Sequence, residues 1–311
     1  MFRSAVRLLA LGIVLAVASP AITTFLNDYT NGIYATAAGG PFEGVVKLLI
    51  TVPSEATYIC SGSVIMSGFS ILTAAHCVSN HFGALEPGTT ATAYFDLGGS
   101  LTTTQIFVNP LWDISTLAGD IALLRFNTPA PGSAQRYDIW RPADGSELGL
   151  LGTIAGYGRV GNGATGSITG TAGTTKLQGD NYVSALSSSF LWFDFDDGLV
   201  AHDVFGGPNA GDREINPAPG DSGGPTFING KIAGVTSWGD CNDKDIDYNP
   251  VTGACTVNSS FGEYFGNTRV STYSDWIQLM DLPEPASYAT VGAGLLLAAF
   301  LWRSHSGRRS R

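Results

Sequence analysis

The sequence predicts an all-β fold set between two terminal processing signals. Short runs rich in Val, Ile, Leu and Thr recur through the middle of the chain, with turn residues between them. Helical periodicity is nearly absent until Thr272–Met280, where Tyr273, Trp276, Ile277 and Met280 share one face. This is the pattern of a β-barrel or β-sandwich closed by one short helix. The runs Val45–Val52, Ser63–Met66, Ile71–Ala74, Ala91–Leu97, Ile121–Phe126, Gly152–Gly156 and Lys231–Ser237 are the predicted strands. Ser271 or Thr272 is the expected N-cap of the helix. Gly152–Gly173 has low complexity and predicts a surface excursion after one strand. Phe126–Gly145, rich in Pro and Ala, is the expected linker between two halves.

The first 21 residues carry Arg3 and Arg7, then the apolar run Leu8–Ala18, then small residues and Pro20. A charged start, a short apolar core and a small-residue exit describe a secretory signal peptide, with cleavage after Ala18 or Ala21. At the far end, residues 281–311, Pro283-Glu284-Pro285 precedes an apolar stretch, Tyr288–Trp302, and a tail with Arg303, Arg308, Arg309 and Arg311. The stretch is marginal for a membrane span, and the arginines would stay on the cytoplasmic side. This arrangement resembles the bacterial PEP-CTERM sorting signal. The resemblance implies a Gram-negative-type bacterium, an exosortase-type processing partner, transient membrane association through the tail, and its removal during export. A retained single-span anchor is the alternative.

The region from Ile22 to Leu282 holds ten Lys or Arg against twenty-five Asp or Glu. Without a basic face it excludes a nucleic-acid partner. An even number of cysteines (Cys60, Cys77, Cys241 and Cys255) in an exported chain points to two disulfides. Three pairings are open, and proximity favours Cys60 with Cys77 and Cys241 with Cys255. Their spacing is unlike that of a zinc site, and no metal is expected. Asp243, Asp245, Asp247 and Asn249 alternate as calcium ligands can, but the loop glycine and distal Glu are missing. A solvated acidic loop is expected there and at Phe193–Gly198.

Three local motifs carry chemistry: Thr73-Ala74-Ala75-His76-Cys77, Gly119-Asp120-Ile121-Ala122-Leu123-Leu124, and Gly220-Asp221-Ser222-Gly223-Gly224-Pro225. A serine hydroxyl is a poor nucleophile at neutral pH and needs an imidazole to take its proton. The imidazole needs a carboxylate to fix its tautomer and to stabilise the imidazolium. A tetrahedral oxyanion needs preorganised N–H donors, and glycines beside the serine let the backbone supply them. His76, Asp120 and Ser222 are the expected triad. Gly220 and Ser222 are the expected oxyanion donors. Asp113 is the next-best carboxylate, and no role falls to His81 or His202.

With Cys60-Ser61-Gly62-Ser63 and Thr236-Ser237-Trp238-Gly239, these motifs resemble the trypsin/chymotrypsin family of serine endopeptidases over roughly residues 40–280. The resemblance implies two perpendicular six-stranded antiparallel β-barrels, about 22–135 and 136–270, with a helix at 271–280. It implies hydrolysis of protein or peptide substrates outside the cytoplasm and no cofactor. It also implies a Cys60–Cys77 disulfide holding the His76 segment, and a substrate-pairing edge at Ser237, Trp238 and Gly239.

Two departures stand out. In the family, a newly freed Ile or Val amine pairs with the Asp before the serine, here Asp221, yet no IVGG or basic cleavage site precedes the first barrel. Ile22, freed by cleavage after Ala21, is the favoured candidate over Ile33. The pocket position six residues before Ser222 is Asn216, neutral where trypsin-like enzymes carry Asp. Arg or Lys specificity is not supported by Asn216, and a small or neutral polar substrate side chain is expected. Ala218 removes a cysteine that usually braces this pocket, which leaves Cys241 to pair with Cys255. The atypical wall, Phe261–Thr268, puts bulky Phe265 near the pocket floor.

Overall fold

The computed structural model describes residues 22–26, 33–173 and 175–281. The expected signal at 1–21 and, apart from Asp281, the expected sorting segment at 281–311 lie outside the described residues. Among those described, no helix is long and apolar enough to cross a membrane.

Strand β1 (Ile22–Thr24) opens the chain. The first half then forms β2 (Val45–Thr51), β3 (Tyr58–Val64), β4 (Ser70–Thr73), β5 (Thr90–Phe95), β6 (Gly99–Thr102), β7 (Gln105–Val108) and β8 (Ala122–Arg125). These seven strands make one curled antiparallel sheet in the order β6-β5-β2-β3-β4-β8-β7. The alternation in β2 decides its facing: Val46, Leu48 and Ile50 are buried, whereas Leu49 and Thr51 are exposed. Ala91, Ala93 and Phe95 do the same in β5.

The second half supplies β9 (Leu151–Gly156), β10 (Val160–Asn162), β11 (Gly166–Ser167), β12 (Leu177–Tyr182), β13 (Ala185–Leu186), β14 (Phe190–Asp194), β15 (Ile215–Asn216), β16 (Pro225–Ile228), β17 (Lys231–Asp240) and β18 (Tyr264–Arg269). Seven of them form a second curled antiparallel sheet, β12-β9-β16-β17-β18-β14-β13. A small third sheet, β11-β10-β1-β15, sits beside it. Each half is thus a curled sheet of seven strands, one more than expected in each. The low-complexity segment is no mere excursion, because Val160 is fully buried and β10 pairs with both β1 and β11.

The linker is tied to both halves near its middle: Tyr137 pairs with Ile65 of the first half and Ile139 with Ile232 of the second. A 3₁₀ turn, Val270–Tyr273, leads into helix α1 (Ser274–Met280). Neither Ser271 nor Thr272 caps this helix. Ser271 Oγ donates to Glu147 Oε1 at 2.8 Å and Thr272 Oγ1 to Ser188 O at 2.6 Å, so both hydroxyls fix the turn to the second half. Ile277 and Tyr273 instead pack into the core of the first half. A further strut is Lys176, whose buried ammonium pairs with Asp96 at 2.8 Å and donates to Phe42 O at 2.7 Å. The disulfides are Cys60–Cys77 and Cys241–Cys255. The first joins β3 to the residue after His76 across a separation of 17, a closure that stabilises by about 3 kcal/mol. The second pins the loop between β17 and β18.

Candidate active site

The three motifs converge where the halves meet. His76 follows β4, Asp120 precedes β8 and Ser222 precedes β16, so each side chain sits at a strand end held by its sheet. Asp120 is fully buried. Its Oδ2 lies 2.7 Å from His76 Nδ1, and its Oδ1 accepts the His76 backbone N–H at 2.8 Å. Ser237 Oγ donates to the same Oδ2 at 2.5 Å, and Thr268 Oγ1 donates to the Asp120 carbonyl at 2.8 Å. Ahead of Asp120, the Gly119 N–H donates to Tyr273 Oη at 2.9 Å.

Desolvation disfavours the imidazolium of His76, but the Asp120 charge and hydrogen bond outweigh it and leave His76 above its ordinary value. Burial likewise works against the Asp120 carboxylate. The His76 charge and the donors His76 and Ser237 overcome this and hold Asp120 below the usual range. Asp113, the alternative carboxylate, turns away and accepts from its own turn at Ser115. His81 pairs with Glu55, and His202 lies 3.0 Å from Asp197.

Ser222 is held by its backbone. Its carbonyl accepts the Ser61 N–H at 2.8 Å. Cys77 Sγ lies 3.6 Å from that carbonyl and 3.9 Å from His76 Nε2, so the disulfide sits between the histidine and serine segments. Among the described residues, no direct hydrogen bond joins Ser222 Oγ to His76 Nε2. Such bonds are commonly long before substrate binds.

The turn around Ser222 depends on glycine. Gly220 adopts φ 106°, where a Cβ would stand 2.9 Å from Gly158 Cα. Gly223 adopts φ 81°, with Thr73 Oγ1 2.0 Å from any added Cβ. The Asp221 N–H closes onto Ala218 O and the Gly223 N–H onto Thr236 O. The N–H groups of Gly220 and Ser222 have no protein partner among the described residues.

Asp221 points the other way, into the second half. It is 1% exposed and accepts from Gly158 N at 2.7 Å and Ala218 N at 2.9 Å. No cation pairs with it among the described residues, and burial, despite those two amides, pushes its carboxyl up to about 7. Strand β1 begins beside the two segments that hold Asp221: Ile22 aligns parallel with Val160, two residues from Gly158, and Thr23 aligns antiparallel with Asn216, two residues from Ala218. Ile22 is fully buried at φ 80°, a left-handed conformation that a β-branched residue pays to adopt. Ile33, the other candidate, lies elsewhere, its carbonyl on Arg213 Nη1 at 2.7 Å.

Beside Ser222 opens a pocket of about 250 Å³. Asn216, Ala218, Trp238, Gly239 and Phe265 line it, and Phe265 stacks on Phe193 at 4.9 Å. Ser237 lines it too, though its hydroxyl is committed to Asp120. Sequence reasoning missed Glu263, which also lines this pocket. Its signal was an acidic residue inside the atypical wall segment. Elsewhere, Asp194, Asp196 and Asp203 bring one carboxylate oxygen each within 4.8 Å of one another. Asp194 and Asp196 are buried rather than solvated, and their oxygens accept backbone amides such as Val204 and Gly198. Asp245 is likewise buried and accepts from Ser260 Oγ.

The Trypsin family model matches residues 34–277. Among curated relatives, the trypsin of Phaedon cochleariae is 26% identical over 285 residues, covering 89% of this chain and 98% of its own length. Trypsin CFT-1 of Choristoneura fumiferana is 30% identical over 227 residues, covering 70% and 77%. The solved structure of HL collagenase superposes with a TM-score of 0.57 at 20% identity, covering 81% of this chain and 98% of its own. That structure shares the fold of two curled sheets. The chain belongs to the trypsin family.

Proposed function

We propose that this protein is an exported serine endopeptidase whose triad is His76, Asp120 and Ser222. The observation that carries the reading is the doubly held His76, with Asp120 Oδ2 2.7 Å from Nδ1, beside the unpartnered amides of Gly220 and Ser222. Ser222 Oγ attacks the scissile carbonyl carbon while His76 Nε2 takes its proton. The carbonyl oxygen gains the charge and is held by the Gly220 and Ser222 amides. Collapse breaks the C–N bond, His76 returns the proton to the leaving amine, and an acyl-Ser222 ester remains. Water, deprotonated by His76, then resolves the ester and frees Ser222. Asp120 keeps the Nδ1 proton in place throughout. An extended substrate adds as a strand along Ser237, Trp238 and Gly239.

Activation follows from β1. Cleavage after Ala21 turns the Ile22 nitrogen into an ammonium aimed at the buried Asp221 carboxylate and removes the preceding carbonyl that makes φ 80° costly. Removal of the signal peptide would then generate the active form in one step. The two disulfides fit an oxidising compartment outside the cytoplasm. Sorting through the 281–311 segment by exosortase-type machinery completes the proposed route.

The competing reading is a catalytically impaired, protease-fold binding module at the cell surface. It draws on the missing Ser222–His76 hydrogen bond. Hydrolysis of a quenched casein substrate by the secreted protein, compared with Ser222→Ala, separates the two. Cleavage lost in the variant supports the enzyme, and equal signals from both proteins contradict it.

A further inference from the structure

The specificity pocket holds one ionisable carboxyl, and it does not come from the position where the family's charge resides. Asn216 of β15 is neutral. Glu263, just ahead of β18, is the acidic residue lining the same pocket, and it is 1% exposed. Part of its role is visible. Oε1 accepts the N–H groups of Asn258 at 2.6 Å and Ser260 at 3.1 Å and so anchors the pocket wall. That anchoring needs only an acceptor oxygen, which a glutamine supplies without a charge. A buried carboxylate costs several kcal/mol unless a cation answers it. Among the described residues no Lys, Arg or His lies within ion-pair distance of Glu263. The charged neighbour that acts on it is Asp245, which has the same sign. The remaining lining side chains are neutral.

We propose that Glu263 is the specificity-determining residue of this cleft, and that it accepts the cationic end of a lysine or arginine side chain preceding the scissile bond. This rests on the endopeptidase reading above. It replaces the neutral preference expected from Asn216, because the pocket's charge arrives from the segment leading into β18 rather than from β15. Selection then depends on pH. Burial, offset in part by the Asn258, Ser260 and Ser259 amides and reinforced by Asp245, pushes the Glu263 carboxyl up to about 7. Below that pH the pocket is neutral and favours neutral side chains. Above it the pocket is anionic.

The test uses the secreted protein and peptides that differ only in the residue before the scissile bond: Lys, Arg, Gln or Ala. The ratio of kcat/KM for Lys over Ala cancels the titrations of His76 and Asp221, which both substrates share. Between pH 6 and pH 8 that ratio is expected to rise about tenfold, the change in ionised fraction of one group centred near 7. In Glu263→Gln the rise is expected to vanish and the Lys preference to fall with it. A ratio that stays flat in the wild type overturns the proposal without need of any variant. A pH-dependent ratio that persists in a folded Glu263→Gln overturns the assignment to this residue. Fluorophosphonate labelling of the same wild-type sample keeps the two readings apart. If Ser222 labels but Lys and Arg are not preferred, only the role of Glu263 falls. If Ser222 fails to label, the endopeptidase reading falls and takes this one with it.

Discussion

Asp120 holds His76 at two points: one carboxylate oxygen lies 2.7 Å from Nδ1 and the other accepts the backbone N–H at 2.8 Å. The first contact fixes the tautomer and the second fixes the chain that carries the ring. Asp120→Asn can keep the backbone bond but presents a donor to Nδ1. Its kcat is expected to fall about 10⁴-fold with the fold intact, as tautomer reversal does in such triads. Stopped assays with a chromogenic ester, alongside circular dichroism, check this.

Ile22 and Asp221 are the second coupled pair. Burial raises the Asp221 carboxyl to about 7, well above its unfolded value. A raised carboxyl favours folding below the unfolded value, and that contribution is lost as pH rises through 7. A free Ile22 ammonium reverses the sign for this group by stabilising its ionised form. A protein starting at Ile22 and one carrying a single extra Ala before it are therefore expected to diverge as pH rises from the unfolded carboxyl value to about 7, and to differ most above it. The extended form should be less stable by about 3–5 kcal/mol, the usual penalty for a buried charge left without its partner. Urea titrations of both forms at pH 5 and pH 8 measure the divergence. Other raised carboxyls, such as Glu214 at about 8, affect both forms alike.

Gly220→Ala places a Cβ 2.9 Å from Gly158 Cα at a φ of 106°. The turn must shift, and with it the amide that the proposed mechanism assigns to the oxyanion. The expected loss is roughly 100- to 1,000-fold in kcat, the cost of one such donor. KM should change far less, since ground-state binding does not use that donor.

Arg269 and Glu147 form a buried two-pronged ion pair, Nε to Oε1 at 2.9 Å and Nη2 to Oε2 at 2.8 Å, with Ser271 Oγ as a third donor. It binds the end of β18 to the segment ahead of β9. Glu147→Leu leaves a buried guanidinium and is expected to destabilise by about 3–5 kcal/mol. The double variant Glu147→Leu/Arg269→Met should recover most of that loss. Guanidinium unfolding curves of both variants check the difference.

Six of the seven apolar runs became strands because each alternates or buries both faces within a few residues, whereas Ser63–Met66 overlaps only the end of β3 (Tyr58–Val64), whose middle, Ser61-Gly62-Ser63, gives no apolar signal. Strands such as β6, β7 and β13 carry little signal: they are short edge segments whose residues are polar or half-exposed, and each is held on one side only, by the strand next to it in sequence. His76, Asp120 and Ser222 were legible because each lies within a local motif. The Ser237 hydroxyl on Asp120 and the Glu263 carboxyl in the pocket were not, since both depend on which loops face each other once the sheets curl. The helix cap failed for a related reason. The long-range acceptors Glu147 and Ser188 O outcompete the helix's own amides for Ser271 and Thr272.

Peptide mapping by mass spectrometry, after treating the purified protein with a fluorophosphonate, most directly tests whether Ser222 is an activated nucleophile. The expected result is one adduct per molecule, located on Ser222 and absent when His76 is replaced by alanine. An unlabelled Ser222 in folded, correctly processed protein, or an adduct on another residue, would contradict it.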